Sequence, residues 1–114
     1  MENRVYKLSE VAKSDDNQAT KTPIYSTDCT SGVVWVIKPN QKVPNHMHTT
    51  SDDIWVCLQG SGIFYPEQGK EIQIAKGDLI VSAKGQHHGM LNNGTEDIIL
   101  VGIVAPAQSD FHPL

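Results

Sequence analysis

The sequence has little of several features that would each define a class of protein. It contains two cysteines, Cys29 and Cys57, and one bridge is too few for a disulfide scaffold, so we expect two reduced thiols. Lysine and arginine are scattered singly and the net charge is −4, so no basic stripe is available to follow a phosphate backbone. No apolar run approaches the roughly 18 residues that a membrane span needs. The absences predict a protein that binds neither nucleic acid nor membrane.

The N-terminal sequence MENRVYKLSEVAK also lacks the apolar core of a secretory signal, so we expect a cytoplasmic protein. The 114 residues suit a single domain with a modest core. A small organic molecule fits such a domain better as a ligand than a polymer does.

Helix patterns are scarce, whereas short runs rich in valine and isoleucine alternate with glycine, proline and asparagine. This pattern predicts an all-β sandwich or barrel. Asn93-Gly94, between two apolar runs, predicts a tight hairpin, because both residues accept positive φ. The predicted strands are 32–38, 53–59, 63–65, 71–74, 79–82, 87–92 and 97–104.

The chain divides into three predicted segments. Residues 1–22 form an N-terminal strand and a polar arm, and residues 23–105 form the barrel domain. Residues 106–114 contain two prolines, which cannot donate to a central ladder, so this tail should pack on the barrel surface.

Four of the five histidines fall in two clusters, His46-Met47-His48 and His87-His88. Residues i and i+2 of a strand point to the same face, so His46 and His48 can present their imidazoles together. Asp53 enters the next strand and faces the same cavity. A third imidazole from the second cluster would complete a nitrogen and oxygen shell, which suits Fe, Mn, Ni, Zn or Cu better than Ca or Mg.

The spacing around the first cluster resembles the first motif of the cupin superfamily, G-x5-H-x-H-x3,4-E-x6-G. The corresponding positions here are Asn40, His46, His48, Asp53 and Gly60, with every interval kept. Asn40 replaces a turn glycine, and this change is mild because asparagine accepts a left-handed conformation.

The second cluster resembles the second cupin motif, G-x5-P-x-G-x2-H-x3-N. The corresponding positions are Gly77, Ala83, Gly85, His88 and Asn92, again with every interval kept. Ala83 replaces a proline and should loosen that turn slightly without moving His88.

The resemblance, to a small single-domain cupin, implies an antiparallel jelly-roll barrel, also called a double-stranded β-helix. It implies one divalent metal ion, of Fe, Mn, Ni or Zn, bound through the equivalents of His46, His48, Asp53 and His88. His87 becomes the outward neighbour of the site. We expect His112, in the tail, to be a packing or interface residue, with a place at the rim of the site as the alternative.

Asp53 departs from the glutamate of the pattern, and its carboxylate is about 1.5 Å shorter in reach. Three outcomes follow: the strand shifts inward, Asp53 binds through water, or three histidines hold the ion alone. Asp52 could compete, although strand alternation points it outward if Asp53 points in.

Three functions fit such a site. The protein is a metal-dependent enzyme acting on a small metabolite, namely a dioxygenase with iron, or an isomerase, lyase or decarboxylase with manganese, nickel or zinc. Alternatively, it is a non-catalytic binding or sensing module, or the metal is structural. Candidates to line the cavity are Trp35, Trp55, Phe64, Met90 and Ile103, with packing in the core or on the outer face as the alternative for each.

A homodimer is also expected. The predicted strand 97–104 is continuously apolar instead of alternating, so both of its faces should be covered. A single small barrel covers one face, and the cupin resemblance points to the same dimer.

Overall fold

A computed structural model describes residues 3–107 and 112–113 of the chain. Within these residues the regular secondary structure is almost entirely β-strand, and the one helix has four residues. The elements, in chain order, are α1 (Leu8–Val11), β1 (Thr20–Ser26), β2 (Ser31–Ile37), β3 (Lys42–Met47), β4 (Asp52–Gln59), β5 (Ser61–Phe64), β6 (Ile72–Ala75), β7 (Leu79–Ser82), β8 (His88–Leu91), β9 (Ile98–Ala105) and β10 (His112–Pro113).

The strands form two five-stranded antiparallel sheets. The first sheet has the order β1-β2-β9-β4-β7, and the second has the order β10-β3-β8-β5-β6. Consecutive strands such as β3 and β4, or β8 and β9, lie in different sheets, as expected of a double-stranded β-helix. The predicted all-β jelly-roll fold is confirmed.

The seven predicted strands coincide, within two residues at each end, with β2 and β4 to β9. The pattern did not single out β1 or β3, because both are polar and both contain proline. Pro23 lies in β1 at the edge of its sheet, and Pro44 lies at an irregularity in the pairing of β3 with β8. These are the places where a sheet tolerates proline.

Strand β9 lies at the centre of the first sheet and fixes which residues face inward. Leu100 pairs with Trp35 on one side and Cys57 on the other, and Leu100 is fully buried. Val101, the next residue, faces the opposite side and is only half-buried. The continuous apolar run of β9 therefore supplies the core with one face and leaves an apolar outer face.

Apolar side chains from both sheets fill the space between them. The edge of the Trp55 ring meets the Phe64 ring at 6.3 Å between centroids, which joins the first sheet to the second. The buried cluster consists of Ile37, Val43, Trp55, Cys57, Phe64, Ile74, Ile80, Met90, Ile98 and Leu100.

The hairpin predicted at Asn93-Gly94 is wrong. The strand before it, β8, pairs with β3 and β5, whereas the strand after it, β9, pairs with β2 and β4. Neither residue of the dipeptide adopts positive φ. The buried Asn92 side chain shapes the crossing instead: its Nδ2 donates to the carbonyls of Ile37 and Glu96 at 2.7 and 2.8 Å, and its Oδ1 accepts from the Gly94 amide.

The predicted division at residues 22 and 105 stays a prediction. Residues 1–2, 108–111 and 114 of the predicted arm and tail lie outside the described residues. No helix in the described part of the chain has the length and apolar character needed to cross a bilayer.

Candidate metal centre

Strand β3 brings two imidazoles to the interior at its C-terminal end. His46 is 4% exposed, and His48, directly after the strand, is 8% exposed. Met47 between them is half-buried on the other face and pairs with β10. The alternation of a strand therefore places both imidazoles on the inner side, as the spacing predicted.

Two further buried side chains come from neighbouring elements. His88 begins β8 and pairs in register with His46, so both lie in the second sheet. Asp53 lies near the start of β4, in the first sheet, and faces His88 across the interior. Asp53 and His88 are 7% and 1% exposed.

The four side chains converge. Asp53 Oδ2 lies 3.0 Å from His88 Nε2 and 3.3 Å from His48 Nε2. One ligand atom from each of His46, His48, Asp53 and His88 can be chosen so that all lie within 4.8 Å of one another. Both of these Asp53–histidine separations are short enough for one ion to contact the two atoms at about 2.1 Å.

Hydrogen bonding and burial prepare His46 as a neutral ligand. Its Nδ1 lies 2.8 Å from the carbonyl oxygen of Pro44, so an Nδ1–H donates there and leaves Nε2 with a lone pair. Burial lowers the pKa of His46 to about 4, and the neighbouring imidazoles of His88 and His48 add to the effect. The imidazole is therefore uncharged at neutral pH, the form that binds metals.

His88 provides a direct indication that the group suits a cation. Its Nε2 is buried and makes no hydrogen bond, although the Asp53 carboxylate is 3.0 Å away. A buried nitrogen without a partner is costly, and a metal ion at this point would compensate it. Three imidazoles and one carboxylate form a donor set that transition metals prefer. This buried group could bind a metal ion.

Other sequence candidates lie outside the group. Asp52 is exposed, and its Oδ1 accepts a hydrogen bond from the Lys84 amide at 3.1 Å. His87 is half-buried beside Glu67 and does not belong to the four-residue group. His112 is exposed in β10, where it pairs with Met47.

A cavity of about 250 Å³ adjoins His46, His48 and Asp53. Most of its wall is apolar, and Lys21 of β1 and Trp35 of β2 also line it. The residues that complete the lining are Val33, Val43, Pro44, Gly102 and Val104. A small organic molecule beside the four ligand atoms would fit this space.

The comparison with protein families agrees with this geometry. The model described as Cupin domain matches residues 33–104, which include all four residues of the group. The chain belongs to the cupin family. The recognition of a small cupin from its two motifs is thereby confirmed.

This cupin also matches a curated relative. It is 28% identical over 68 residues to the oxalate-binding protein of Thermotoga maritima, and the match covers 60% of this chain and 55% of that protein. The matched part is thus little more than half of the relative's length.

Solved structures share the cupin fold over nearly the whole chain. An uncharacterised conserved protein with a double-stranded β-helix domain from Klebsiella pneumoniae has a TM-score of 0.92 at 26% identity, covering 99% of this chain and 100% of its own. A predicted oxalate decarboxylase from Thermotoga maritima has a TM-score of 0.78 at 21% identity, covering 90% and 99%.

The turn before the first cupin motif accommodates the departure at Asn40. Asn40 has a φ of 71°, so it adopts the left-handed conformation that the motif glycine would supply, as predicted. Gly60 has a φ of 84°, and a Cβ there would fall 2.8 Å from the Asp97 carbonyl oxygen. The turns that bracket the first motif therefore keep their shape.

The sequence predicted the cavity lining of this cupin incompletely. Trp35 does line it, but Ile103 does not, because Gly102 occupies the inward position of β9 and its neighbour faces outward. Trp55, Phe64 and Met90 belong to the buried core. Lys21 and Gly102 were missed, and only the pairing of β1 with β2 could have drawn attention to Lys21.

Proposed function

We propose that this cupin binds one divalent transition metal ion through His46, His48, Asp53 and His88 and acts as an enzyme on a small metabolite. The observation that carries the proposal is the convergence of four buried ligand atoms within 4.8 Å, contributed by both sheets. The 3.0 Å approach of Asp53 to His88 supports Asp53 as a direct ligand despite its shorter side chain.

The chain's own residues prepare this site for chemistry. The neutral His46, held by the Pro44 carbonyl, needs no deprotonation near neutral pH. Asp53 supplies one negative charge, and the apolar walls at Val33, Val43 and Val104 exclude water around a bound molecule. The metal would supply Lewis acidity and a bound water of lowered pKa.

The metal decides the class of reaction. Bound iron would indicate a dioxygenase, whereas manganese, nickel or zinc would indicate an isomerase, lyase or decarboxylase. In either case the substrate is a small molecule held in the adjoining cavity.

The alternative is a binding or sensing module that holds a metal and a small acid without turnover. The match to the oxalate-binding protein of Thermotoga maritima favours it, since that protein is described by what it binds. Product analysis after incubation with a bound acid separates the two functions: the module returns the acid unchanged.

Elemental analysis of protein purified without a histidine tag tests the metal site. We expect about one equivalent of metal in the wild type and in His87→Ala, a control next to the site. His46→Ala and His88→Ala should lose it, and Asp53→Ala should retain less than the wild type. Failure of the wild type to hold metal, even after reconstitution, would contradict the proposal.

We also propose a cytoplasmic homodimer that buries the outer face of the first sheet. Leu79 and Val81 of β7 are 62% and 58% exposed on that face. They pair with Val56 and Ile54, which are only half-buried. An apolar surface of this kind supports association with a second copy.

A further inference from the structure

We infer that Lys21 binds a carboxylate of a small dicarboxylic acid whose other end faces His46, His48 and Asp53. The inference rests on the proposed metal site and adds the class of ligand to it. Lys21 belongs to none of the residues that the sequence motifs or the metal site single out. Its place in the cavity follows from the register of β1.

Strand register brings Lys21 to the inner face of the first sheet. Lys21 pairs with Trp35, which pairs with the fully buried Leu100, so this row of residues faces the interior. The preceding residue, Thr20, pairs with Val36 and faces the other side. Lys21 therefore lines the cavity, although β1 is the edge strand of the sheet and the residue itself is exposed.

Trp35 holds the Lys21 ammonium at the cavity wall. The Nζ atom lies 5.7 Å from the centre of the Trp35 ring, within range of a cation–π interaction. In the described part of the chain Lys21 forms no ion pair, whereas Lys38 and Lys70 are paired with Asp16 and Glu67 at 2.6 and 2.7 Å. The Lys21 charge thus remains available to a ligand.

The charges around the cavity favour an acid with two negative groups. Asp53 carries the carboxylate among the lining residues, and in the proposed metal site it binds the ion. A divalent ion, Asp53 and Lys21 together leave a formal charge of +2. A monocarboxylate would neutralise half of it, and a dicarboxylate would neutralise all of it.

The shape of the cavity favours an acid with an apolar body. Val33, Val43, Pro44 and Val104 lie along the wall, so a short hydrocarbon chain would contact them. The volume of about 250 Å³ equals that of about eight water molecules at ~30 Å³ each. Oxalate has no hydrocarbon segment to contact these walls, whereas dicarboxylates of four to six carbons combine such a segment with two charges.

Calorimetric titration tests the inference with matched pairs of acids. The ligands are dicarboxylates of two to six carbons and the monocarboxylates of the same carbon number, added to zinc-loaded protein of measured metal content. In the wild type we expect one of the longer dicarboxylates to bind at least about tenfold more tightly than its monocarboxylate. Lys21→Met, which keeps the side-chain length, should reduce this ratio to near one, and Lys21→Arg should retain most of it.

Two further variants separate charge from space. Lys76→Met removes an exposed lysine outside the cavity and should leave the ratio unchanged. In Gly102→Ala the added methyl would fall 3.2 Å from Trp55 Nε1 and 3.4 Å from Val33 Cγ2. The variant should weaken the binding of both acids of a pair alike. The ratio of their affinities and the zinc content should stay as in the wild type.

The outcomes distinguish this inference from the metal proposal. The role of Lys21 is overturned if the ratio of dicarboxylate to monocarboxylate affinity is the same in the wild type and Lys21→Met. It is also overturned if zinc-loaded protein binds no acid. Either result leaves the metal site intact. If no zinc binds, the metal proposal fails, and the same titrations on metal-free protein decide the inference: a ratio that Lys21→Met does not change overturns it.

Discussion

Asp53 and His88 belong to opposite sheets, yet Asp53 Oδ2 lies 3.0 Å from His88 Nε2 in the interior. The buried Nε2 nevertheless makes no hydrogen bond of acceptable geometry. A metal ion between these atoms would join the sheet of β4 to the sheet of β8. The proposed centre would therefore stabilise the fold as well as hold a ligand.

Metal addition should raise the thermal stability of the protein. At a free metal concentration of about 100 times Kd, the free energy of unfolding should rise by about 2.7 kcal/mol. Asp53→Asn keeps the size of the side chain and removes its charge, so it should weaken metal binding by at least about 100-fold. Differential scanning calorimetry with and without zinc measures both effects.

Asp52→Asn is the matched control for that experiment. Asp52 is exposed and lies outside the four-residue group, so its variant should gain as much stability from zinc as the wild type does. An equal gain in Asp53→Asn would exclude Asp53 as a ligand.

The stability of the metal-free protein should fall as the pH decreases from 6.5 toward 4. Burial holds the pKa of His46 at about 4, below its ordinary value of 6.5. In this window the unfolded chain binds a proton at position 46 that the folded chain does not, so acid favours unfolding. Well above pH 6.5 both states are neutral there, and the contribution is constant.

Urea unfolding at pH 7 and pH 5 measures this effect. The decrease in the free energy of unfolding should be smaller in His46→Gln, which cannot take up the proton, than in the wild type. His112→Gln, which replaces an exposed histidine, should behave like the wild type. A His46 titration midpoint near 6.5 in the NMR spectrum of the folded metal-free protein would contradict the prediction.

Asn92→Ala should destabilise the fold by about 2–4 kcal/mol, because it leaves buried backbone groups without their partners. Asn92 is fully buried; its side chain donates hydrogen bonds to the Ile37 and Glu96 carbonyls and accepts one from the Gly94 amide. Asn93→Ala, one residue on and exposed, should change stability by less than about 0.5 kcal/mol. Similar denaturation midpoints for the two variants would argue against this role of Asn92.

Leu79→Lys should convert the proposed dimer into monomers, because it places a charge in the apolar outer face of the first sheet. Light scattering coupled to gel filtration measures the mass. Ile72→Lys is the control, since Ile72 is 50% exposed but lies in β6 of the second sheet. Monomeric wild-type protein at micromolar concentration would contradict the dimer.

The motif spacing carried much of the information about the site. His46 and His48 share a face because alternation along a strand is a local property of the backbone. Asn40 adopts positive φ because its own side chain tolerates that conformation. Such features depend on a few consecutive residues, so a sequence can predict them.

The prediction of a hairpin at Asn93-Gly94 was wrong because the path of the chain there does not depend on consecutive residues alone. Whether the chain turns back or crosses to the other sheet depends on partners distant in sequence, and here Asn92 bonds to Ile37 at the end of β2. Local turn propensity did not decide between the two.

By itself, the sequence determined seven of the described strands, the family and the four residues of the candidate metal centre, because these depend on periodicity and fixed intervals. Only the tertiary structure placed Lys21 beside Trp35 on the cavity wall and left Gly102 without a side chain between Val33 and Trp55. These neighbours come from β1, β2, β4 and β9, and strand pairing between such distant segments is a property of the whole fold.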